Sequence, residues 1–268
     1  MKKKFKLGVI GAGFMSTAII KGVINANLIN SKDIIVSDLS QSALDKMSEN
    51  GVEVTNDNAN LCSKAEFVLF AIKPQNLDSV LETIKGLDVN KFISIMAGVK
   101  KEKIKAVFPN SKVARCMPNT PCAIGYGAIG LDLFDYDNDE DILFIKTLFN
   151  LLGKVELVEE DKLNAVTGIS GSAPAYFYLF LKGIVEAGVK NGLTYDQAKS
   201  LATSTMIGAG KMVENNPDKS LDELINAVCS KGGTTIEAVN TYNEAGLGKI
   251  SQNAIDNCVK RAFELENL

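Results

Sequence analysis

Histidine is absent from all 268 residues. That single absence removes Ser-His-Asp and Cys-His catalysis and every His-ligated zinc hydrolase. Proton transfer is left to a hydroxyl, a carboxylate, a lysine, water or the substrate itself. The odds move away from hydrolysis and towards chemistry carried by a cofactor. Cysteine is sparse: Cys62, Cys116, Cys122, Cys229 and Cys258 are odd in number, widely spaced and without a Cys-x-x-Cys pair. That pattern argues against a disulfide scaffold and a zinc site; reduced, mostly buried thiols are expected, with no metal. A basic excess is missing too, with 29 Lys and Arg against 32 Asp and Glu and a net charge of −3, so no nucleic-acid partner is expected. No apolar run is long enough to span a bilayer, since the strongest, residues 173–181, is cut short by Lys182. The opening Met1-Lys2-Lys3-Lys4-Phe5 resembles a signal-peptide start, but it leads into a strand and a glycine turn with no cleavage site. The expected location is the cytoplasm.

What is present alternates. Short β-branched runs at residues 6–10, 34–37, 67–71, 92–95, 112–116 and 128–132 read as strands, and stretches at 15–23, 41–48, 76–84, 101–108 and 141–152 show helical spacing. Such alternation predicts an α/β fold with a mostly parallel sheet covered on both faces. From about Glu159 the strand signals stop. Residues 162–190 read as one helix, roughly 40 Å long, with a kink expected at Pro174. Thr194 with Gln197, and Ser220 with Glu223, form capping-box patterns that open two more helices. The chain therefore divides into domains at 1–158 and 159–268, the second all-helical. The apolar face around residues 176–181 is larger than so few helices cover, which suggests a partner subunit; a purely intramolecular core is the alternative. The acidic stretch Asp135, Asp137, Asp139 has the spacing of a calcium loop, but Glu140 replaces the turn glycine and Lys146 the bidentate glutamate. A solvated loop and helix cap is expected there.

Gly11-Ala12-Gly13-Phe14-Met15-Ser16 follows the first strand and opens the first helix. Gly11 permits a tight turn, and Gly13 lets backbone N–H groups approach a pyrophosphate; an ordinary strand–helix turn is the plainer reading. Asp38 ends the second strand, where it would accept from an adenosine ribose and repel a 2′-phosphate, favouring NADH over NADPH, or would merely cap the next turn. Ala71-Ile72-Lys73-Pro74-Gln75 and Met96-Ala97-Gly98 leave two further strands at the edge where ligands bind in open α/β sheets. Lys73 there would neutralise a cofactor phosphate or stay solvated. Ser230-Lys231-Gly232-Gly233-Thr234-Thr235 precedes a helical run, presenting amides and hydroxyls to a carboxylate or simply capping the helix.

The stretch from Leu224 through Ser230-Lys231-Gly232-Gly233-Thr234-Thr235 to Ala238 closely resembles the signature of pyrroline-5-carboxylate reductases. Three more stretches resemble that family in order: Ala71–Gln75, Arg115-Cys116-Met117-Pro118-Asn119-Thr120-Pro121, and the run from Val166 to Tyr176. The resemblance spans essentially the whole chain. It implies a Rossmann-like dinucleotide-binding domain, a helical dimerisation domain that assembles into a dimer or a larger ring such as a decamer, and reduction of 1-pyrroline-5-carboxylate to proline with NADH or NADPH. Carried over by position, it puts Gly11, Ala12, Gly13, Phe14, Met15, Ser16, Ser37, Asn58, Lys73, Ala97 and Gly98 on the cofactor, and Ala71 and Ile72, beside Lys73, are expected there with them. Thr234 and Thr235 fall on the substrate, with Glu214 as a further contact, while Asn119 and Ser172 shape the pocket. The Gly233 and Thr234 amides would anchor the carboxylate and the Thr235 hydroxyl would serve the ring nitrogen as the catalytic proton donor. The chain departs from the family at Lys231 (usually proline), Ala173 (usually glycine) and Ser16 (glycine or alanine), and Lys231 bears on substrate preference. Other readings are a related imine or β-hydroxyacid reductase, for which Lys162 and Lys182 are the lysines to consider, and a non-catalytic cofactor-binding regulator.

Overall fold

The computed structural model describes residues 3–266. Met1 and Lys2, which begin the charged start considered above, lie outside the described residues, as do the last two residues of the expected helical domain. Eight strands form one sheet: β1 (Phe5–Ile10), β2 (Ile34–Ser37), β3 (Glu53–Thr55), β4 (Ala65–Phe70), β5 (Lys91–Ser94), β6 (Lys112–Met117), β7 (Gly127–Asp132) and β8 (Gly153–Leu157). Their order is β3-β2-β1-β4-β5-β6-β7-β8, and every pairing is parallel except β6 with β7. The chain winds outward in both directions from β1, so the gap between the ends of β1 and β4 is a topological switch point.

Both faces of the sheet are buried, as the alternation of core residues shows. In β4, Phe67 and Leu69 join one apolar cluster while Val68 and Phe70 join the other. On the first face lie α1 (Phe14–Asn25) and α6 (Asp139–Asn150), contributing Ile19, Ile20, Ile145 and Phe149. On the second face, α3 (Asn58–Lys64), α4 (Leu77–Ile84) and α5 (Lys101–Lys105) contribute Leu61, Leu81 and Ile104. Between β2 and β3 runs α2 (Gln41–Ser48), whose Leu44 and Met47 are buried. Three elements escaped the sequence reading. β3 is three residues long and only partly buried, β8 alternates with exposed positions at the sheet edge, and α3 is opened by Asp57, whose carboxylate accepts from Ala59 N and Asn60 N. The helix expected at 101–108 shortens to Lys101–Lys105.

The single helix expected at 162–190 is interrupted, and not at Pro174. A short α7 (Leu163–Val166) runs into a π-turn at Thr167–Gly171 before α8 (Ala173–Lys190) begins. Pro174 sits in the first turn of α8, where its missing N–H has no intrahelical role. The interruption is seated tightly, because a Cβ on Gly130 of β7 would lie 2.7 Å from Val166 Cγ1.

The chain separates into two compact units, one running to Pro174 and taking in the stretch from Cys258 onward, the other spanning Ala175–Asn257. The second unit is helical: the body of α8, α9 (Tyr195–Glu214), α10 (Leu221–Val228), α11 (Thr234–Glu244) and the first half of α12 (Leu247–Glu266). Both predicted capping boxes are formed, at Thr194–Gln197 and Ser220–Glu223. This unit has almost no core of its own: Val185 and Ala198 are its only buried apolar residues, while Phe177, Tyr178, Leu179, Leu201, Ile207 and Met212 are more than half exposed. An apolar groove of about 590 Å³ runs between α8 and α9. The intramolecular-core alternative therefore fails, and an exposed apolar surface of this extent is a mark of association. No helix among the described residues is long and apolar enough to cross a membrane.

Candidate cofactor cleft and substrate loop

The glycine turn closes the end of β1 against its neighbours. Gly11 adopts φ +107°, and its N–H donates to Ser37 O at 2.7 Å. A Cβ there would lie 2.5 Å from Ala71 O, so only glycine fits. Gly13 is different. It is the N-cap of α1 with φ −82°, and nothing lies within 4 Å of an added Cβ. No side chain caps this end, so the first N–H groups of α1, from Phe14 onward, face open space at the positive end of the helix dipole. Ser16 is buried and its hydroxyl donates to Gly13 O at 2.9 Å, leaving those amides free.

A cleft of about 500 Å³ opens beside this turn, lined by Gly11, Ser37, Asp38, Leu39, Ser40, Asn58, Ile72, Asn76, Ser79, Val80 and Thr83. Five residues expected on the cofactor thus meet: Gly11, Ser37, Asp38, Asn58 and Ile72. Ser37 Oγ donates to Asn58 Oδ1 at 2.7 Å, and Asn58 Nδ2 reaches Thr83 Oγ1 at 3.5 Å. The capping reading of Asp38 is seen, and an unanticipated contact joins it: Oδ1 accepts from Ser40 N at 2.8 Å, capping the turn, and Oδ2 accepts from Ala12 N at 2.7 Å, bracing the glycine loop. Each oxygen keeps a lone pair for a ligand hydroxyl. Ala12, Gly13, Phe14, Met15 and Ser16 continue from Gly11 into α1, and Ala71 and Lys73 flank Ile72, with Ala71 N donating to Ile10 O. Leu39, Ser40, Asn76, Ser79 and Thr83 were not anticipated. Their signal was proximity in sequence to Asp38 and Lys73, but side-chain direction is not legible there.

Ala97 and Gly98 follow β5 and do not line the cleft. Gly98 has φ +68°, and a Cβ on it would lie 3.2 Å from Leu265 Cβ, so the end of α12 rests on this turn. A buried ion cluster holds that end. Arg115 lies 2.9 Å from Glu160 and 3.7 Å from Glu266, and Lys100 lies 3.7 Å from the same Glu266. The Glu160 carboxylate also accepts from Lys101 N at 2.8 Å. Its only sequence signal was an arginine inside an apolar strand, since a buried guanidinium requires partners. Nearby, Lys101 pairs with Asp132 at 2.8 Å and with Asp135 at 3.1 Å, and Lys105 also pairs with Asp135. Burial works to lower the Lys101 pKa, but its bonds to the two carboxylates prevail and hold it above the ordinary range. With Lys112 on Asp137 and Asn138 capping α6, Asp135 and Asp137, just ahead of that helix, are both paired with lysines. Among the described residues no cluster suited to a metal is found. All five cysteines are free, and burial pushes Cys62 up to about 12 and raises Cys116 and Cys122, so these three are not nucleophiles.

In the helical unit, Gly233 is the N-cap of α11 and no side chain caps it. Gly232 has φ +70°, a conformation that favours glycine, and a Cβ on Gly233 would lie 2.2 Å from Ser230 Oγ, a hydroxyl that would have to rotate away. Thr234 and Thr235 are exposed on the first turn with their amides unpaired within the helix. Glu214 ends a different helix, α9, where it pairs with Lys211 at 2.6 Å. Asn119 is buried and joins two elements of the first unit: its Oδ1 accepts from Ala128 N at 3.0 Å, and its Nδ2 donates to Ser170 O in the π-turn at 3.2 Å. Ser172 accepts from Cys258 Sγ at 3.4 Å. Lys162 and Lys182 pair with Asp161 and Glu186 at the surface.

A doubly wound sheet with a glycine turn at its switch point and open amides on the following helix is the architecture of a dinucleotide-binding oxidoreductase. Comparison with known proteins gives the same class and narrows it. Residues 6–98 match the family model described as NADP oxidoreductase, coenzyme F420-dependent, and residues 160–265 match that for pyrroline-5-carboxylate reductase dimerisation. The chain is 34% identical to the pyrroline-5-carboxylate reductase of Vibrio alginolyticus over 98% of both chains, and 35% identical to that of Staphylococcus aureus strain COL with the same coverage. Its fold superimposes on the Plasmodium falciparum pyrroline carboxylate reductase with NADP bound at a TM-score of 0.87, with 28% identity over 99% of this chain and 100% of that one. The chain belongs to the pyrroline-5-carboxylate reductase family.

Proposed function

We propose that this protein reduces 1-pyrroline-5-carboxylate to L-proline with NADH or NADPH. Full-length similarity to reductases of that name carries the reading, since a third of positions agree over 98% of both chains. The residues present fit the cofactor: Gly13 leaves a cradle that a Cβ would fill, beside amides with no capping side chain. When bound, the nicotinamide supplies the hydride that adds to the ring imine carbon.

The residues from Gly11 to Ser16 hold the pyrophosphate, and Ser37, Asp38 and Asn58 hold the adenosine. Ala71, Ile72 and Lys73 would hold the next part of the cofactor, and Ala97 and Gly98, outside the cleft, would meet its nicotinamide end. On the substrate, the Gly233 and Thr234 amides anchor the carboxylate, with Glu214 as a further contact. The Thr235 hydroxyl gives the ring nitrogen its proton, directly or through water, and is itself reprotonated from solvent. Histidine is not needed, because alignment of two bound molecules supplies much of the acceleration. The functional division of the chain falls at 158/159, supported by the dimerisation match that begins at residue 160. The exposed apolar helices pair with a second copy, and dimers build a larger ring such as a decamer in the cytoplasm.

The test follows nicotinamide absorbance with pyrroline-5-carboxylate, running both cofactors in parallel and identifying the product. Proline formed in step with cofactor oxidation supports the reading; binding without turnover removes this substrate. Thr235→Ala should lower kcat about 100-fold with cofactor Kd unchanged, the scale of a lost proton donor. An unaltered kcat removes Thr235 from the proton path.

A further inference from the structure

We infer that Asp38 makes this protein select NADH against NADPH, which rests on the reductase reading above and specifies its cofactor. A carboxylate at the end of the second strand discriminates only if it stays where it is. Here it is held from both sides. One oxygen accepts from Ala12 N at 2.7 Å and the other from Ser40 N at 2.8 Å, so swinging away would break two charge-assisted bonds and release the glycine loop.

The surroundings supply nothing to offset the charge. Among the described residues no lysine or arginine lines the cleft; apart from Asp38 its polar wall is Ser37, Ser40, Asn58, Asn76, Ser79 and Thr83, all neutral. Neutral hydroxyl and amide groups with one fixed acceptor suit a ribose diol, whose hydroxyls can donate to the remaining lone pairs of Asp38. A 2′-phosphate brings about two negative charges to the same place without a cation to meet them. Leu39, next in sequence and 93% exposed, supplies an apolar surface where an NADPH-selective site would place a basic side chain. Asp38 is thus a specificity-determining residue through repulsion as much as attraction.

Equilibrium binding to the intact protein, by calorimetry and by reduced-nicotinamide fluorescence, tests this apart from turnover. NADH should bind at least about tenfold tighter than NADPH in 0.1 M salt, a difference of about 1.4 kcal/mol. The gap should narrow in 1 M salt, as the screening length falls from about 10 Å to about 3 Å. Asp38→Asn should narrow it mainly by strengthening NADPH. Because that change also touches the glycine-loop brace, Leu39→Arg provides an independent arm: it alters a cleft-lining side chain that is 93% exposed, and it should strengthen NADPH severalfold and NADH by much less. Equal or tighter NADPH binding by the unaltered protein overturns the inference and leaves the reductase reading intact. Binding of neither nucleotide overturns both.

Discussion

Two glycines, two residues apart, should fail in opposite ways when given a methyl group. In Gly11→Ala the new Cβ would lie 2.5 Å from Ala71 O and 2.9 Å from Ala71 C, both backbone atoms, at a φ of +107°. Forcing an L-residue into that region costs roughly 1–3 kcal/mol, and displacing the end of β4 adds about 1–3 kcal/mol of overpacking. If the turn flips instead, the 2.7 Å bond from Gly11 N to Ser37 O is lost, worth about 1 kcal/mol. If the turn is kept, the expected destabilisation is about 2–6 kcal/mol. In Gly13→Ala the backbone is already at φ −82° and the methyl meets nothing within 4 Å. The fold should lose under about 1 kcal/mol, the scale of a weaker N-cap. That methyl occupies the space in front of the α1 amides, so nucleotide affinity should drop at least tenfold. Urea unfolding by circular dichroism at one protein concentration, beside nucleotide titrations, reads both quantities. A Gly13→Ala protein that unfolds early yet binds normally, or a Gly11→Ala protein of ordinary stability, refutes the division of labour.

Further outcomes are expected elsewhere. Arg115→Met strands Glu160 and Glu266 without their guanidinium, and the loss of a buried ion partner should lower unfolding stability by about 3–5 kcal/mol; a shift below 1 kcal/mol in urea would show the cluster to be solvated. Leu179→Asp places a charge on a side chain that is 72% exposed, so light scattering should report smaller particles while helicity persists; an unchanged mass excludes this face from the assembly. For Asp135, burial acts to raise the pKa, but Lys105 and Lys101 outweigh it and hold it below the ordinary 3.8. A depressed aspartate stabilises the fold above its ordinary value and loses that contribution as pH falls through the folded one. Asp135→Asn should therefore be less stable near neutrality, with the difference from the parent closing below about pH 4. A gap that persists in acid points to lost packing instead.

What the sequence by itself determined is what short-range signals encode. The alternation of β-branched runs with helical spacing predicts the doubly wound sheet because strand and helix periods are local. Gly11 and Gly13 announce a turn because their conformational freedom is intrinsic, and Thr194–Gln197 and Ser220–Glu223 announce helix starts because a capping box closes within four residues. The likeness of four ordered motifs to one family is likewise a property of the string. Edge strands β3 and β8 were not legible, since brief pairing at a sheet margin demands little apolar pattern. Only the tertiary structure decided that the helix through Thr167–Gly171 breaks ahead of Pro174, that Asp38 grips Ala12 across 26 positions, and that Arg115 meets a carboxylate near the far end of the chain. Those outcomes depend on which distant groups share low-dielectric space. A buried charge or an unpaired amide takes whatever partner the fold brings within reach, and separation along the chain says nothing about which partner that is.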